Sequence, residues 1–161
     1  MINAVIGIDP GATGAMVLMT PDVHNWISRP REVGIDIVKF KGIQLGELVD
    51  YIRGWTEMYT ICVYMELVGA MPKDGKHNAF AFGNNVGRLQ GILCANHLPL
   101  IEVAPQVWQR HFKLGAKFPS KKERKHAHLA KAQELFPEIK ITLDTCDAIL
   151  IGMYAYHMEF K

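Results

Sequence analysis

Residues 4–19 read Ala-Val-Ile-Gly-Ile-Asp-Pro-Gly-Ala-Thr-Gly-Ala-Met-Val-Leu-Met, the most informative segment of the chain for its fold. Its first six residues form a short apolar strand that ends at Asp9, and residues 10–14 break that strand as a turn. Residues 15–19 then resume as a second apolar strand. The stretch therefore predicts an antiparallel hairpin with an acidic side chain at the end of its first strand.

The remainder of the chain carries further strand and helix patterns. Strands are predicted where apolar or β-branched residues run together or alternate, within residues 34–40 and at 60–65 and 100–103. Helices are predicted from apolar spacing and from Pro105, at residues 45–55, over much of 79–97, after residue 105, and at 120–136 and 144–158. With no internal repeat or linker, one domain over residues 1–161 is expected. The order predicts an α/β fold, a mixed five-stranded sheet flanked by helices.

The composition is ordinary for a globular protein, with 49% hydrophobic and 21% charged residues. No apolar run approaches the roughly 20 residues that span a bilayer, and the N-terminus lacks a basic-then-apolar signal. Cys62, Cys94 and Cys146 are widely separated in apolar surroundings, which predicts buried thiols rather than a disulfide framework or a zinc site. A cytoplasmic protein is therefore expected, in the host cytoplasm if a phage encodes it.

Basic side chains are concentrated in one segment, residues 110–131, which holds eight of the 18 Lys and Arg residues against one acid, Glu123. This segregation is typical of a surface that faces phosphate, although a solvated basic helix face explains the charge alone equally well. The eight are Arg110, Lys113, Lys117, Lys121, Lys122, Arg124, Lys125 and Lys131.

Two acids stand where predicted central strands end, Asp9 and Glu66. Side chains at the ends of adjacent buried strands are held rigidly and point into a shared space. Asp9 alone could be a turn residue before Pro10 and Gly11, a common role for aspartate. Glu66 has no such explanation, because glutamate is not a turn former.

Asp144 and Asp147 form a second acidic pair at the start of the last predicted helix. At a spacing of three residues, both lie on the same side of its first turn. A capping role competes, because acids suit an N-cap and the positive end of the helix dipole. The following helix is apolar on nearly every side, however, which predicts that it is buried and carries its acids toward the sheet.

If all four acids converge, cations must neutralise their mutual repulsion. Oxygen ligands select hard ions, so Mg²⁺ is expected, with Mn²⁺ as a substitute. Two such ions would brace the attacking water and the leaving oxygen of a phosphodiester. The predicted metal ligands are Asp9, Glu66, Asp144 and Asp147.

Residues 79–97 carry glycine at every fourth position, Gly83, Gly87 and Gly91, which places three missing side chains on one helix face. Glycine costs a helix about 1 kcal/mol relative to alanine, so close packing against another backbone is expected to offset it.

These motifs together resemble the RuvC family of Holliday junction resolvases, including its phage-type members, over nearly the whole chain. The first matching segment runs from Ile6 to Gly11 and resembles the family's first strand with its first metal ligand. Residues 63–66 resemble the strand bearing the second ligand, and residues 144–152 its closing Asp-x-x-Asp-Ala helix. Residues 83–91 resemble the helix used for homodimer contact, and residues 103–105 the junction that precedes the basic segment.

The resemblance implies a ribonuclease H-like fold, a homodimer, and paired Mg²⁺-dependent nicks on a four-way DNA junction. It further implies that Lys122 is a catalytic lysine near the scissile phosphate, with Lys121 as a rival. A loop with Lys73 and Lys76 follows Glu66 and is a candidate to track the DNA backbone with the basic segment, although two lysines in a loop are usually only solvated. The resemblance does not decide whether a branch-migration helicase is a further partner.

Two positions depart from the family pattern. Many members carry an aromatic residue three positions after the second ligand, where this chain has Gly69. Many also have a lysine just after the proline-led turn, where this chain has Trp108 and then Arg110. Junction opening and sequence preference are therefore left open.

Other functions compete with junction resolution. The turn after Asp9 also resembles the phosphate-binding hairpin of actin-like ATPases and sugar kinases, but 161 residues leave no room for their second lobe. A non-catalytic DNA-binding module would not need four acids. The alternative that remains is a ribonuclease H-like nuclease with relaxed specificity for branched DNA, such as three-way junctions, flaps and replication forks.

Overall fold

The computed structural model describes residues 1–21, 33–69, 75–115 and 117–160. Within them the secondary structure follows the predicted order, with small differences at the ends. The elements are β1 (Ala4–Asp9), β2 (Ala15–Pro21), β3 (Val33–Lys39), α1 (Leu45–Met58), β4 (Ile61–Glu66), α2 (Lys76–Ala95), β5 (Leu100–Val103), α3 (Pro105–His111), α4 (Lys121–Leu135) and α5 (Cys146–Glu159).

The strands form one mixed sheet in the order β3-β2-β1-β4-β5. β1 is the central strand, antiparallel to β2 on one side and parallel to β4 on the other. This confirms the predicted α/β fold with a mixed five-stranded sheet. Successive residues of β1 face opposite sides, so that Val5 packs into the core beneath α5 and Ile6 into the core beneath α1 and α2.

Helix α5 lies directly against β1, because Gly7 of β1 lets the two backbones approach. A methyl group on Gly7 of β1 would overlap the backbone of Gly152 in α5 and lie 2.6 Å from the carbonyl oxygen of Ala148. The helix is buried over most of its length, as its all-apolar pattern predicts. This contact brings the first turn of α5 to the end of the sheet where β1 and β4 finish.

Two details differ from the sequence-based expectations. Cys62 and Cys146 are buried, but the prediction for Cys94 is wrong, because Cys94 is exposed on α2. The apolar neighbours that suggested its burial, Ile92 and Leu93, lie on the sheet-facing side of that helix.

The glycine face of α2 is also uncovered. A methyl group on Gly83, Gly87 or Gly91 would meet nothing within 4 Å among the described residues, so the expected backbone packing is not made within this chain. Among those residues, no helix is long and apolar enough to cross a membrane.

Candidate active site

Asp9 and Glu66 end neighbouring strands and lie side by side. β1 and β4 run parallel with Ile8 beside Met65, so the next residue of each strand is the acid. The Asp9 carboxylate is oriented by its own turn, since the Gly11 N–H donates to Asp9 Oδ1 at 3.1 Å.

Asp147 reaches the same place from the first turn of α5, where its charge suits the positive end of the helix dipole. The Lys125 ammonium lies 2.6 Å from Asp147 Oδ2 and 3.5 Å from Asp9 Oδ2 and therefore bridges the two carboxylates. Asp9, Glu66 and Asp147 are called the acidic cluster below.

Two buried rings contact the acidic cluster. The indole N–H of Trp108 donates to Glu66 Oε1 at 3.3 Å, and Nδ1 of His128 lies 2.9 Å from Asp147 Oδ1. Trp108 is completely buried and His128 is 1% exposed.

The pKa values of Glu66 and Asp9 reflect burial first and the crowding of negative charge second. Burial raises the pKa of Glu66 to about 7, and the charges of Asp9 and Asp147 push it in the same direction. Burial also raises the pKa of Asp9, although the Lys125 ammonium opposes this effect.

Asp147 and Lys125 stabilise each other's charged forms. Burial would raise the pKa of Asp147, but the hydrogen bond from His128 and the Lys125 ammonium outweigh it and hold that pKa below its usual range. Burial would lower the pKa of Lys125, but Asp147 and Asp9 raise it. One lysine therefore compensates a cluster that holds three acids.

The acidic cluster opens into a cleft of about 780 Å³. Glu66 and Asp147 line it together with Phe82 and Asn85 of α2 and residues of α3 and α4. Lys121 and Arg124 stand on the α4 side, so positive charge flanks the acids within one cavity.

The cluster has the donor chemistry that Mg²⁺ and Mn²⁺ prefer, because carboxylate oxygens are hard ligands. Among the described residues, no three His, Cys, Asp or Glu side chains are already arranged around a common point for a metal ion. Lys125 occupies the space between Asp9 and Asp147, which is where a positive charge is needed. The residues fit a divalent cation if this ammonium moves aside.

The other residues predicted for catalysis lie outside this contact network. Asp144 is half-exposed in the turn before α5 and forms none of the hydrogen bonds or ion pairs that join the acidic cluster within the described part of the chain. Lys122 is exposed on α4, and the lysine that contacts the acids is Lys125, one helical turn later.

The predicted DNA-binding residues are spread around α3 and α4. Lys117, Lys121 and Arg124 surround a second hollow of about 520 Å³ at the start of α4. Several others are exposed outside the two hollows, namely Lys76, Arg110, Lys113 and Lys122. Lys73 lies outside the described residues.

Comparison with solved structures identifies the fold. A structure of Thermus thermophilus RuvC in complex with a Holliday junction substrate matches over 98% of this chain and 96% of that chain, with a TM-score of 0.61 and 13% identity. The fold is that of RuvC. A further Thermus thermophilus RuvC structure matches 96% of this chain and 95% of that chain, with a TM-score of 0.56 and 16% identity. No family model and no curated protein sequence matches the chain.

The RuvC fold confirms the ribonuclease H-like architecture expected from the strand and helix order. Trp108 and His128, which contact Glu66 and Asp147, were not among the site residues predicted from the sequence. A weak signal was present, since a histidine three residues after Lys125 occupies the same face of α4.

Proposed function

We propose that this protein is a divalent-metal-dependent endonuclease that resolves four-way DNA junctions by phosphodiester hydrolysis. The observation that carries the proposal is the convergence of Asp9, Glu66 and Asp147 at one end of the sheet, in a chain with the RuvC fold. Burying three carboxylates together is unfavourable unless a cation compensates them. Such an arrangement is typical of a metal site rather than of a structural core.

Asp9, Glu66 and Asp147 would hold the metal, with Mg²⁺ as the expected ion and Mn²⁺ as a substitute. When bound, divalent ions lower the pKa of a water and stabilise charge on the transferred phosphate. Lys125 compensates Asp9 and Asp147 until a cation replaces it. Asp144 stays a predicted fourth ligand, and Lys122 a predicted catalytic lysine.

The basic segment supplies the DNA-binding surface in this proposal. Lys121 and Arg124 line the cleft that holds Glu66 and Asp147, so a phosphate drawn to them would lie near the acidic cluster. The N-terminus of α4 adds a helix dipole that favours anions. The Ser120 side chain accepts a hydrogen bond from one N–H group of the first turn, that of Glu123. Lys117 extends this positive surface away from the cleft.

A homodimer is part of the proposal. The glycine face of α2 is open to solvent and would let a second copy's backbone approach closely, which offsets the helix-forming penalty of glycine. Two sites related by a two-fold axis would suit a four-way junction, whose own symmetry is similar.

Labelled four-way junctions, three-way junctions, flaps and linear duplexes incubated with the protein and Mg²⁺ would test the proposal. We expect paired, symmetric nicks in the four-way junction and little cutting of the linear duplex. Comparable cutting of every branched substrate would instead support the relaxed nuclease, which the exposed Gly69 favours because it provides no side chain to open a junction. Absence of cutting of all four substrates would contradict both.

A matched pair of variants links cutting to the acidic cluster. Asp147→Asn should reduce cutting at least 10³-fold while junction binding without Mg²⁺ stays within about threefold, because the lost charge serves the cation and not the DNA. Asp50→Asn, on the exposed face of α1, is the control and should cut at the normal rate. Normal cutting by Asp147→Asn would remove Asp147 from the proposed site.

A further inference from the structure

Trp108 and His128 form a buried ring pair directly behind the acidic cluster. The two rings pack edge to face with centroids 5.1 Å apart. Trp108 belongs to α3 and His128 to α4, while the carboxylates they contact belong to β4 and α5. One ring pair thus joins the acids of two elements to the helices beside them.

The chemistry of the two contacts determines which group donates each hydrogen bond. An indole nitrogen can only donate, so Trp108 Nε1 gives its hydrogen to Glu66 Oε1. An ionised carboxylate can only accept, so Nδ1 of His128 must carry the hydrogen that it shares with Asp147 Oδ1. Each ring therefore engages one oxygen of its carboxylate and leaves the other oxygen for a cation.

The second nitrogen of His128 argues against a packing role. Within the part of the chain that the structure describes, Nε2 of His128 is buried and has no hydrogen-bond partner. An unsatisfied buried polar atom is unfavourable, and an apolar side chain would fill the same space without this penalty. The feature that a histidine adds here is the Nδ1 contact with Asp147.

We propose that Trp108 and His128 are positioning residues that hold Glu66 and Asp147 in the orientation that binds the divalent cation. This inference rests on the proposed function. Trp108 is completely buried and His128 is 1% exposed, so we expect both to act through the carboxylates rather than through contact with DNA. Outer partners of metal ligands typically change metal affinity by about 10- to 100-fold when they are replaced.

Isosteric substitutions separate positioning from packing. His128→Asn places an amide nitrogen near the site of Nδ1, and His128→Gln places one near the site of Nε2. Trp108→Phe keeps a ring but removes the N–H group. We expect His128→Gln and Trp108→Phe to bind Mn²⁺ about tenfold or more weakly, while His128→Asn stays within about threefold of the unmodified protein.

Mn²⁺ binding is measured without DNA, by calorimetry and by the electron paramagnetic resonance of free Mn²⁺. Unchanged affinity in His128→Gln and Trp108→Phe, with Mn²⁺ binding abolished by Asp147→Asn, would overturn the positioning role and leave the proposed function standing. Equal losses in His128→Asn and His128→Gln would also overturn it, because the effect would then follow ring volume. If the unmodified protein bound no Mn²⁺, both proposals would be wrong.

A measurement on the unmodified protein avoids variants that fold poorly. Nitrogen-15 NMR of the His128 ring should show a hydrogen on Nδ1. A ring that carries its hydrogen on Nε2 alone could not donate to Asp147, and this result would overturn the inference. In cutting assays, Trp108→Phe should lower kcat and leave KM for the junction unchanged, as expected when only the metal geometry changes.

Discussion

Replacing Lys125 by methionine should destabilise the metal-free protein strongly. The substitution keeps the length of the side chain but removes the ammonium that lies 2.6 Å from Asp147 and 3.5 Å from Asp9. Both acids are largely buried, with side-chain exposures of 10% for Asp147 and 14% for Asp9. Their charges would therefore be left without compensation in a poorly solvated place.

The loss in the free energy of unfolding depends on how deeply the ion pair is buried. Removing one partner of a fully buried ion pair costs about 3–5 kcal/mol. The Lys125 side chain is 26% exposed, so water screens part of the interaction, and about 2–4 kcal/mol is expected. For a chain of 161 residues, this corresponds to a decrease in Tm of about 5–15 °C.

Lys131→Met on the same helix is the matched control. Lys131 lies 2.6 Å from Glu134 and its side chain is 25% exposed, but the side chain of Glu134 is 66% exposed. The two lysines thus differ mainly in the burial of their acidic partners. Breaking the exposed pair should cost about 0.5 kcal/mol or less.

Thermal unfolding at pH 8 in EDTA, followed by circular dichroism, measures both variants. After EDTA is removed, Mn²⁺ should raise the Tm of Lys125→Met more than that of the unmodified protein, because the ion replaces the missing positive charge. Equal Tm values for the two methionine variants, or equal Mn²⁺ shifts for Lys125→Met and the unmodified protein, would refute this account of Lys125.

Three further outcomes are expected. The pKa of Glu66 near 7 exceeds its ordinary value of 4.5, so ionising Glu66 destabilises the fold as pH rises between these values. Metal-free Glu66→Gln should therefore be more stable than the unmodified protein at pH 8, by up to about 3 kcal/mol, and equally stable at pH 4. Identical thermal unfolding of the two proteins at pH 8 would contradict the raised pKa. Replacing both Lys121 and Arg124 by alanine should weaken junction binding and reduce the slope of log affinity against log salt by about 2, as binding titrations would show; an unchanged slope would remove them from the DNA interface. Gly87→Leu should shift the protein to monomers in analytical ultracentrifugation, while Gly54→Leu, at a similarly open position on α1, should not; dimers in both would place the interface elsewhere.

The fold could be predicted because its strands have simple patterns. β1, β2 and β4 are short apolar runs bounded by turns or by acids, and each appears within two residues of its predicted end. Parallel pairing of β1 and β4 then places Asp9 beside Glu66 without further information. The position of Asp147 near Asp9 and Glu66 also follows from the sequence. Helix α5 is apolar on nearly all sides, which predicts that it is buried against the sheet.

The partners of the acids could not be predicted in this way. Which lysine of the basic segment reaches the acids depends on the rotation of α4 about its axis, and one helix carries Lys121, Lys122 and Lys125 with similar sequence contexts. His128 of α4 packs against Trp108 of α3, and no local sequence pattern specifies such a tertiary contact. The resemblance favoured Lys122, while the structure gives the carboxylate contacts to Lys125.

Anomalous scattering from crystals soaked in Mn²⁺ would locate any metal ion bound at the acidic cluster. An anomalous peak should lie within about 2.2 Å of oxygens from Asp9, Glu66 and Asp147, with Lys125 displaced from its position between two of them. No peak at the cluster, with the Lys125 ammonium still bridging Asp147 and Asp9, would contradict a metal-dependent active site at this place.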